Sequence, residues 1–455
     1  MVKADLDLAV NCGSSSIKFT LYNKFRQVVV VGQASNVQGD EPASYVFQHA
    51  PLSSFSESKE PPKLSEKREQ TLEKNTSYEG VFDEILKDVT DDDVLGEGGK
   101  DRLRLVAHRI VHGGTADGLI LIRHGDKDEQ EVLDKMEEVS AFAPLHNHHA
   151  MLIVKTCLQS LPSATSVLCF DTLFHRSIPL YRRTYALSTP THKTPVPLIK
   201  YGFHGLSYGS IVRQMAGELG KKVEDVNLVI AHLGSGGSCC LIQGGESRST
   251  SMGLTPLEGL PGGTRSGTVD PSLIFHHTPD CSGTVKWSGR DITKGEYVLN
   301  KESGFRALCG TSNFGTITAR AFPHSEGDAE ASNEELQSAR LTYALYVDRL
   351  LAYLSPYLVA LFSSPAPHNT LDGLVFSGGI GEKASKLRED VLNHFKWVEE
   401  LAATGGGVDK ERNEKGKGRR EITKEGSKVR AWVVETNEED EMVRLAGEEM
   451  DKADK

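Results

Sequence analysis

Two segments of the chain repeat one pattern: an apolar run, a turn of glycine and serine, and a second apolar run. The first spans 6–22 around the turn Asn11–Ser16, and the second spans 228–242 around the turn His232–Ser238. Each predicts a β-hairpin whose backbone N–H groups and serine hydroxyls converge on a phosphate. One such turn is common in ordinary sheets. Two of them, each opening one half of the chain, predict a duplicated domain with a nucleotide between the halves.

The composition is that of a globular protein of two or three domains, with 455 residues, 38% hydrophobic and 25% charged. A formal net charge of −11 argues against nucleic acid or an anionic membrane as a partner. Seven cysteines without regular spacing indicate reduced thiols. We find no signal peptide and no window approaching the roughly 20 apolar residues of a membrane span. These features predict a cytoplasmic protein.

Strands and helices alternate through both halves, which predicts an α/β protein. Residues 50–76, rich in proline, serine, lysine and glutamate, predict a solvent-exposed insertion, and a basic loop covers 408–428. Further strands are predicted at 28–32, 103–111, 166–170, 374–376 and 429–434, and helices at 77–89, 334–354 and after Asp270-Pro271.

Three cations stand in settings that suit an anionic ligand. Lys18 follows Ser16 on the outgoing strand of the first hairpin, although a lone strand lysine is more often simply exposed. Arg109 interrupts an apolar strand, which is costly unless it meets an anion or a structural ion pair. Arg265 is set among glycines, which allow a ligand to approach closely. Two such arginines fit a site that neutralises charge from two sides.

Other candidates lie where strands end. Asp171 suits an orienting group or a Mg²⁺ ligand, with a helix N-cap as the alternative. His204 is held between an aromatic residue and a glycine. The strand–turn–helix pattern at 375–382 lets backbone approach a nucleotide, although it lacks the full dinucleotide fingerprint, and the chain has no Walker A sequence. The histidines at 146–149 lack spaced cysteine or acidic partners, so we do not expect zinc.

Together these motifs resemble, in order and approximate spacing over nearly the whole chain, those of the acetate kinase (acetokinase) family. The resemblance implies the duplicated actin-like (ribonuclease H-like) fold of the acetate and sugar kinase, Hsp70 and actin superfamily, with two domains around a central nucleotide cleft. It implies Mg²⁺ (or Mn²⁺), ATP as co-substrate, acetate as acceptor, and a homodimer. The segments that carry it are 11–18, 108–114, 144–147, 170–175, 201–207, 255–271, 377–382 and 436–439, of which those around His204 and Arg265 are the most specific.

The same resemblance implies a domain division and a set of roles. We expect an N-terminal domain over 1–170, a C-terminal domain with the nucleotide site and dimer interface over 171–428, and a strand and helix over 429–455 that return to the N-terminal domain. The implied catalytic residues are Arg109, Asp171, His204 and Arg265, with His146 in support. The implied acetate-binding residues are Arg109, Val111, Leu145, Phe203 and Pro256. The implied nucleotide-binding residues are Asn11, Ser14, Ser16, Lys18, His232, Gly234, Ser235, Gly236, Gly379, Ile380 and Gly381, and the implied metal ligands are Asn11 and Glu438.

The implied chemistry is direct in-line phosphoryl transfer between ATP and acetate, giving ADP and acetyl phosphate. A carboxylic acid with a pKa near ~4 is ionised at neutral pH, so Asp171 is interpreted as an orienting or metal-side group rather than a base. Propionate or butyrate kinases and a pyrophosphate-linked acetate kinase remain alternatives. A non-enzymatic ATP-binding protein of actin or Hsp70 type is another, but it has no use for Arg109, His204 and Arg265 together.

Two positions depart from the family pattern. Most relatives carry asparagine where this chain has Ser235, so nucleotide affinity and donor identity stay open. Pro261-Gly262 replaces the bulkier residues that usually precede Gly263-Thr264-Arg265. The small residues Gly379-Ile380 favour ATP as the donor.

Overall fold

The computed structural model describes residues 4–13, 16–37, 41–50, 55, 63–74, 76–95, 98–142, 147–287, 290–323, 332–396 and 406–453. The chain divides into two compact units. The N-terminal unit contains Met1–Leu173, Pro190–Pro197 and Asn437–Lys455, and the C-terminal unit contains Phe174–Thr189 and Leu198–Thr436. The main boundaries between the units therefore lie after Leu173 and Thr436, whereas the sequence predicted them after residues 170 and 428.

A mixed eight-stranded sheet forms the centre of the N-terminal unit. Its strand Leu6–Cys12 is buried throughout, as expected for an apolar strand with neighbours on both sides. This strand pairs antiparallel with Ser16–Asn23, which confirms the first predicted hairpin, and parallel with Leu103–Ile110. The spatial order of the strands is Arg68–Thr71, Ser44–His49, Val28–Ser35, Ser16–Asn23, Leu6–Cys12, Leu103–Ile110, Thr165–Phe170 and Ile120–Ile122.

The helices of this unit follow from apolar spacing and capping. Tyr78–Val89 begins after Ser77, whose hydroxyl accepts a hydrogen bond from the Gly80 N–H. Its residues Tyr78, Val81 and Phe82 recur at helical spacing and are buried. The other helices are Asp92–Leu95, Glu129–Val139, Asn147–Ser160 and Glu438–Ala453, with 3-10 turns at Gly99–Arg102, Ser140–Phe142 and, across the boundary between the units, Asp171–Ser177.

A six-stranded sheet forms the centre of the C-terminal unit, and it repeats the topology of the first. In each sheet three successive antiparallel strands are followed by two parallel strands, in the spatial order 3-2-1-4-5. This repetition confirms the duplicated α/β fold. The strand order is Glu246–Thr250, Gly237–Gln243, Leu228–Leu233, Gly373–Ser377, Ala431–Val433 and Arg420–Glu421, and Thr284–Trp287 pairs separately with Arg290–Thr293.

The longest helix of this unit, Asn333–Phe362, starts with a capping box between Ser332 and Glu335. Within the described residues it alone is long and apolar enough to cross a membrane by length and composition. Its Tyr346 and Leu350 lie in the hydrophobic core against the sheet, which is how a core helix passes the same test. The other helices are Leu180–Arg183, Gly205–Leu219, Leu273–His277, Lys294–Lys301, Gly304–Cys309, Phe314–Ala321, Gly378–Lys383, Ser385–Asn393 and Lys410–Glu414, with a 3-10 turn at Val223–Asp225.

Three segments differ from the sequence-based expectations. In the described part of the 50–76 insertion, Arg68–Thr71 adds an exposed edge strand to Ser44–His49, because an open sheet edge can pair with a chain that lacks apolar alternation. Within the basic loop, Lys410–Glu414 is helical. The last strand, Ala431–Val433, pairs in parallel with Gly373–Ser377 and stays in the C-terminal unit, because it is buried within that sheet. It does not return to the N-terminal unit with the final helix.

Candidate functional site

Polar side chains from four segments meet at one edge of the N-terminal sheet. Asn11 and Arg109 are the penultimate residues of two parallel strands, and Asp171 directly follows a third. The carboxyl ends of parallel strands lie at the same edge of a sheet, where ligands commonly bind. Glu438, the first residue of the last helix, joins them, since the Asn11 amide donates to its carboxylate at 2.8 Å. The structure thus brings these four predicted residues together.

Arg109 occupies the centre of this cluster. Its Nη2 and Nε donate to the two carboxylate oxygens of Asp171 at 2.7 and 3.3 Å, and Nη1 lies 3.2 Å from Asn11 Oδ1. Burial by itself would lower the pKa of Arg109, but the charges of Asp171, Glu438 and Glu439 outweigh burial and raise that pKa above its ordinary value. The arginine is therefore tolerated at the end of an apolar strand because it is paired.

The same cluster has an excess of carboxylates, which bears on the expected metal ion. The guanidinium of Arg109 interacts with three carboxylates, those of Asp171, Glu438 and Glu439. No group of three His, Cys, Asp or Glu side chains in the described part of the chain is arranged to hold a metal ion. Mg²⁺ usually takes one or two protein carboxylates and completes its shell with water and phosphate oxygens. The oxygens of Asn11 and Glu438 fit a site of that kind.

The first hairpin turn leads into this cluster. Asn11 and Lys18 are directly opposite each other on neighbouring strands, so their side chains lie on the same face of the sheet. The turn is closed by a hydrogen bond from the Gly13 N–H to the Ser16 carbonyl at 2.8 Å. Lys18 is exposed and makes no hydrogen bond or ion pair with the described residues, so its charge can meet an anion. Ser14 lies outside the described residues.

Side chains from other segments bond to the backbone of the turn that follows the Arg109 strand. Asn147 accepts from the His112 N–H at 2.9 Å and donates to the His112 carbonyl at 2.8 Å. The Gly113 N–H donates to the Thr172 hydroxyl at 3.1 Å. These bonds fix the backbone that directly follows Val111, which is 4% exposed. Leu145 and His146, the other residues predicted near this turn, lie outside the described residues.

In the C-terminal unit, His204 lies at the end of a constrained backbone segment. Gly202 and His204 have φ angles of 79° and 60°, and a Cβ at Gly202 would lie 2.7 Å from the His175 ring. Burial lowers the pKa of His175 to about 4, so its ring is neutral at pH 7. His175 Nε2 then donates to the Phe203 carbonyl at 2.8 Å, and Nδ1 accepts from Ser247 at 2.7 Å. His175 therefore positions the backbone that precedes His204.

His204 also contacts the second hairpin. Its Nδ1 lies 2.8 Å from the Ser238 hydroxyl, which lies 2.5 Å from the Tyr208 hydroxyl. The rings of His204 and His232 have centroids 4.7 Å apart. The predicted residues His204 and His232 are therefore neighbours, and the structure adds Ser238 and Tyr208 to their surroundings.

Arg265 and the second glycine–serine turn form one local structure. The Gly263 N–H donates to the Ser235 carbonyl at 2.9 Å, and a Cβ at Gly236 would lie 2.8 Å from Arg265 Nη1. A side chain at 236 would therefore require the Arg265 guanidinium to shift. Burial lowers the pKa of Arg265 to about 10, so the side chain is charged at neutral pH.

The segment with Pro256 runs beside the segment with Phe203. The Tyr201 N–H donates to the Gly253 carbonyl at 3.0 Å, and the Tyr185 hydroxyl accepts from the Leu254 N–H at 2.9 Å. Phe203 is 1% exposed and Pro256 is half-buried. These two apolar residues are thus held on adjoining segments of the same unit.

The predicted adenosine-binding residues lie in the helix Gly378–Lys383, which follows its strand without an intervening loop. Gly378 has a φ of 74°, and a Cβ there would lie 2.6 Å from the Leu233 carbonyl oxygen. A Cβ at Gly379 would meet no atom within 4 Å. Arg388, which is 1% exposed, donates to the Gly381 carbonyl at 2.7 Å and anchors the end of this helix. The backbone at Gly378 and Gly381 is therefore held in place, while the space beside Gly379 is open.

Several residues of these sites were missed by the motif analysis. His175, Ser238 and Glu439 each lie inside or next to a motif that was singled out, but their types gave no reason to choose them. Asn147 and Tyr208 could have been noticed only by knowing their partners, which lie 30 or more residues away in the sequence.

We predict that Gly378→Ala destabilises the protein by about 1–3 kcal/mol, because alanine pays a strain cost at positive φ and its Cβ would meet the Leu233 carbonyl. Urea unfolding of the purified variants measures this. Gly379→Ala is the matched control, since it adds a methyl group to open space in the same helix, and its free energy of unfolding should change by less than about 0.5 kcal/mol. Equal effects at both positions would contradict the prediction.

A second prediction concerns the acid stability conferred by His175. Its pKa of about 4 in the folded protein lies below the ordinary value of 6.5, so the unfolded chain binds the proton more readily. Stability is therefore present above pH 6.5 and is lost as the pH falls towards 4. Between pH 7 and pH 5 this loss amounts to about 2 kcal/mol.

The measurement compares urea unfolding at pH 7 and pH 5 for the wild type and for His175→Gln. Glutamine can still donate to the Phe203 carbonyl but does not titrate, so the variant should lose about 2 kcal/mol less than the wild type over this interval. An identical pH dependence for both proteins would show that His175 is not the titrating group.

Comparison with known proteins identifies the family and the fold. The model of the Acetokinase family matches residues 6–444. A probable acetate kinase of Cryptococcus neoformans is 44% identical over 98% of this chain and 99% of its own, and acetate kinase 1 of Vibrio parahaemolyticus is 34% identical over 97% and 99%. Among solved structures, a propionate kinase from Francisella tularensis has 31% identity and a TM-score of 0.76, with coverage of 97% and 98%. The acetate kinase of Porphyromonas gingivalis has 26% identity and a TM-score of 0.71, with coverage of 98% and 99%. The chain therefore belongs to the acetokinase family and is an enzyme of the kinase class with the duplicated actin-like fold.

Proposed function

We propose that the protein is an acetate kinase, which transfers a phosphoryl group reversibly and directly between ATP and acetate to give ADP and acetyl phosphate. The observation that carries the proposal is the cluster of Asn11, Arg109, Asp171 and Glu438 at the carboxyl ends of three parallel strands, in a chain of this family. Such a cluster combines a fixed cation for an anionic acceptor with oxygen ligands for a divalent cation.

The acceptor needs no general base in this reaction. Acetate has a carboxylic acid pKa near ~4 and is already an anion at neutral pH. Asp171 is fully buried and holds both its oxygens on Arg109, so its role is to orient that guanidinium. Arg109 would bind the acetate carboxylate, and Val111, Phe203 and Pro256 are the apolar residues that we assign to acetate binding. The energetic difficulty is the approach of two anions, which positioned cations relieve.

The phosphoryl side of the reaction is assigned mainly to the C-terminal unit. The turn Gly234–Gly236 would approach the nucleotide phosphates with its backbone, while Gly379–Gly381 would border the adenosine. Arg265 and His204 would donate hydrogen bonds to the transferring phosphoryl group, with His232 beside His204. In the N-terminal unit, Ser16 and Lys18 would contact phosphate oxygens. Hydrogen bonds to charge that develops in the transition state are the main source of catalysis here.

Magnesium fits the residues of the N-terminal cluster. Asn11 and Glu438 would hold Mg²⁺ through their oxygens, and the ion when bound would offset negative charge on the phosphates. Arg109 separates Glu438 from Asp171 and so limits the number of carboxylates that reach one ion. This arrangement favours an ion shared between protein and nucleotide.

Propionate is the second candidate acceptor, because the Francisella tularensis relative of known structure is a propionate kinase. One methylene in an apolar pocket changes discrimination by only about 1–3 kcal/mol, so the two acids would share the same catalytic residues. The apolar residues that contact the acyl group would decide the preference.

We also propose a homodimer in the cytoplasm. The C-terminal unit exposes large apolar side chains, among them Leu180, Tyr181 and Leu187, which are 71–80% exposed. Exposed apolar side chains of this size are typical of surfaces that become covered by a partner. All seven cysteines are buried free thiols, as suits a reducing compartment.

We predict that Arg109→Ala and Arg265→Ala each lower kcat for acyl phosphate formation at least about 100-fold, because each removes a fixed donor to the reacting anions. Hydroxylamine trapping of acyl phosphate with Mg²⁺, ATP and acetate measures the activity, and circular dichroism checks folding. Arg430→Ala is the control, since Arg430 pairs with Glu421 at the surface away from these motifs, and it should keep wild-type activity. Folded Arg109 and Arg265 variants with wild-type kcat would contradict the assigned roles.

A further prediction concerns the phosphoryl donor. The wild type should form acyl hydroxamate with ATP and none with pyrophosphate. Ser235→Asn should lower the KM for ATP about two- to fivefold, because Ser235 is exposed and the longer amide adds a donor at the phosphate turn. Product with pyrophosphate and none with ATP would reject ATP as the donor, and the lack of product with either would reject the acetate kinase assignment.

A further inference from the structure

Three side chains form a chain of hydrogen bonds that ends at His204. Nδ1 of His204 lies 2.8 Å from Ser238 Oγ, and Ser238 Oγ lies 2.5 Å from the Tyr208 hydroxyl. Tyr208 and Ser238 are both fully buried. Tyr208 comes one turn after His204 on the helix Gly205–Leu219, and Ser238 lies on the strand Gly237–Gln243. Two regular elements therefore hold the three groups in place.

The number of protons determines the direction of these hydrogen bonds. Within the described residues, Ser238 is the sole hydrogen-bond partner of the Tyr208 hydroxyl. Burial raises the pKa of the Tyr208 phenol well above its ordinary value, so the hydroxyl keeps its proton and must donate it. A buried donor without an acceptor is unfavourable, so the proton of Tyr208 points at Ser238 Oγ.

The serine has one proton, and its direction follows from that of the tyrosine. Within the described residues the Ser238 hydroxyl has two hydrogen-bond partners, Tyr208 and His204 Nδ1. It accepts from Tyr208, and its own buried proton also needs an acceptor, so that proton is directed at His204 Nδ1. In a neutral imidazole, one nitrogen accepts and the other carries the proton. The reverse order, with His204 Nδ1 donating to Ser238 and Ser238 donating to Tyr208, would leave the tyrosine proton without an acceptor.

We propose that Tyr208 and Ser238 are positioning residues that fix the neutral tautomer of His204 with its proton on Nε2. This inference rests on the proposed function, in which His204 donates a hydrogen bond to the transferring phosphoryl group. In the fixed tautomer Nε2 presents a proton to the phosphoryl oxygens. In the other tautomer Nε2 would present a lone pair to an anion, which is repulsive. The pair thus acts through His204 and need not touch the substrate.

The tautomer can be observed directly in the full-length protein. Long-range ¹H–¹⁵N correlation spectra of protein labelled with ¹⁵N-histidine distinguish a protonated from an unprotonated ring nitrogen. His204→Gln identifies the His204 signals among the sixteen histidines. The expected wild-type spectrum at neutral pH shows His204 with Nδ1 unprotonated and Nε2 protonated. A spectrum with the proton on Nδ1 would overturn the proposal whether or not the enzyme turns over.

The kinetic test uses variants at the two positioning residues. Ser238→Ala should lower kcat about tenfold with the KM values for acetate and ATP within about twofold, because an orienting partner is lost while the binding groups remain. Its His204 spectrum should show a mixture of tautomers. Tyr208→Phe should have a smaller effect, about threefold, since Ser238 can still donate to Nδ1. Ser238→Thr keeps the hydroxyl and should restore both kcat and the wild-type His204 spectrum.

Ser251→Ala is the matched control. Ser251 is a buried serine of the same unit whose hydroxyl accepts from the Cys239 N–H at 2.9 Å, so its loss tests packing without touching His204. Unchanged kcat and unchanged His204 signals in folded Ser238→Ala would overturn the proposal. If Ser238→Ala does not fold, the proposal is tested by the wild-type His204 spectrum and by the kcat of Tyr208→Phe. The absence of acyl phosphate in the wild type would reject the proposed function, whereas the ring spectrum reports the tautomer by itself.

Discussion

The ion pair between Arg109 and Asp171 is the interaction on which the N-terminal site depends. A guanidinium at the end of an apolar strand is unfavourable unless a buried carboxylate meets it, and Asp171, itself fully buried, does so with both oxygens. The remaining nitrogen reaches Asn11 and Glu438, so one charge links the ends of three parallel strands to the last helix. The side chains of the cluster are thus held by one another.

The duplicated topology carries different residues at the corresponding edges of its two sheets. In the N-terminal sheet the carboxyl ends of the parallel strands carry charged side chains, among them Arg109 and Asp171. In the C-terminal sheet the corresponding edge carries glycines, among them Gly236 and Gly378, and a Cβ at Gly378 would clash with the Leu233 carbonyl. The same backbone arrangement therefore carries charged side chains in one unit and glycines in the other.

Local patterns predicted the elements that local interactions form. The two hairpins, the helix after Ser77 and the strand that ends near Arg109 follow from alternation, helical spacing and capping within short windows. The edge strand Arg68–Thr71 and the placement of Ala431–Val433 were not predicted. Each depends on the sheet edge available to it, which no short window of sequence contains.

The sequence alone determined the fold class and the family, because motif spacing and apolar periodicity are properties of the chain itself. Only the tertiary structure decided that Arg109 pairs with Asp171 and that the Asn147 side chain bonds to the His112 backbone. The same holds for the position of Ser238 between His204 and Tyr208. The physical reason is that charge pairing and hydrogen-bond direction depend on partners from distant segments, which meet only when the chain has folded.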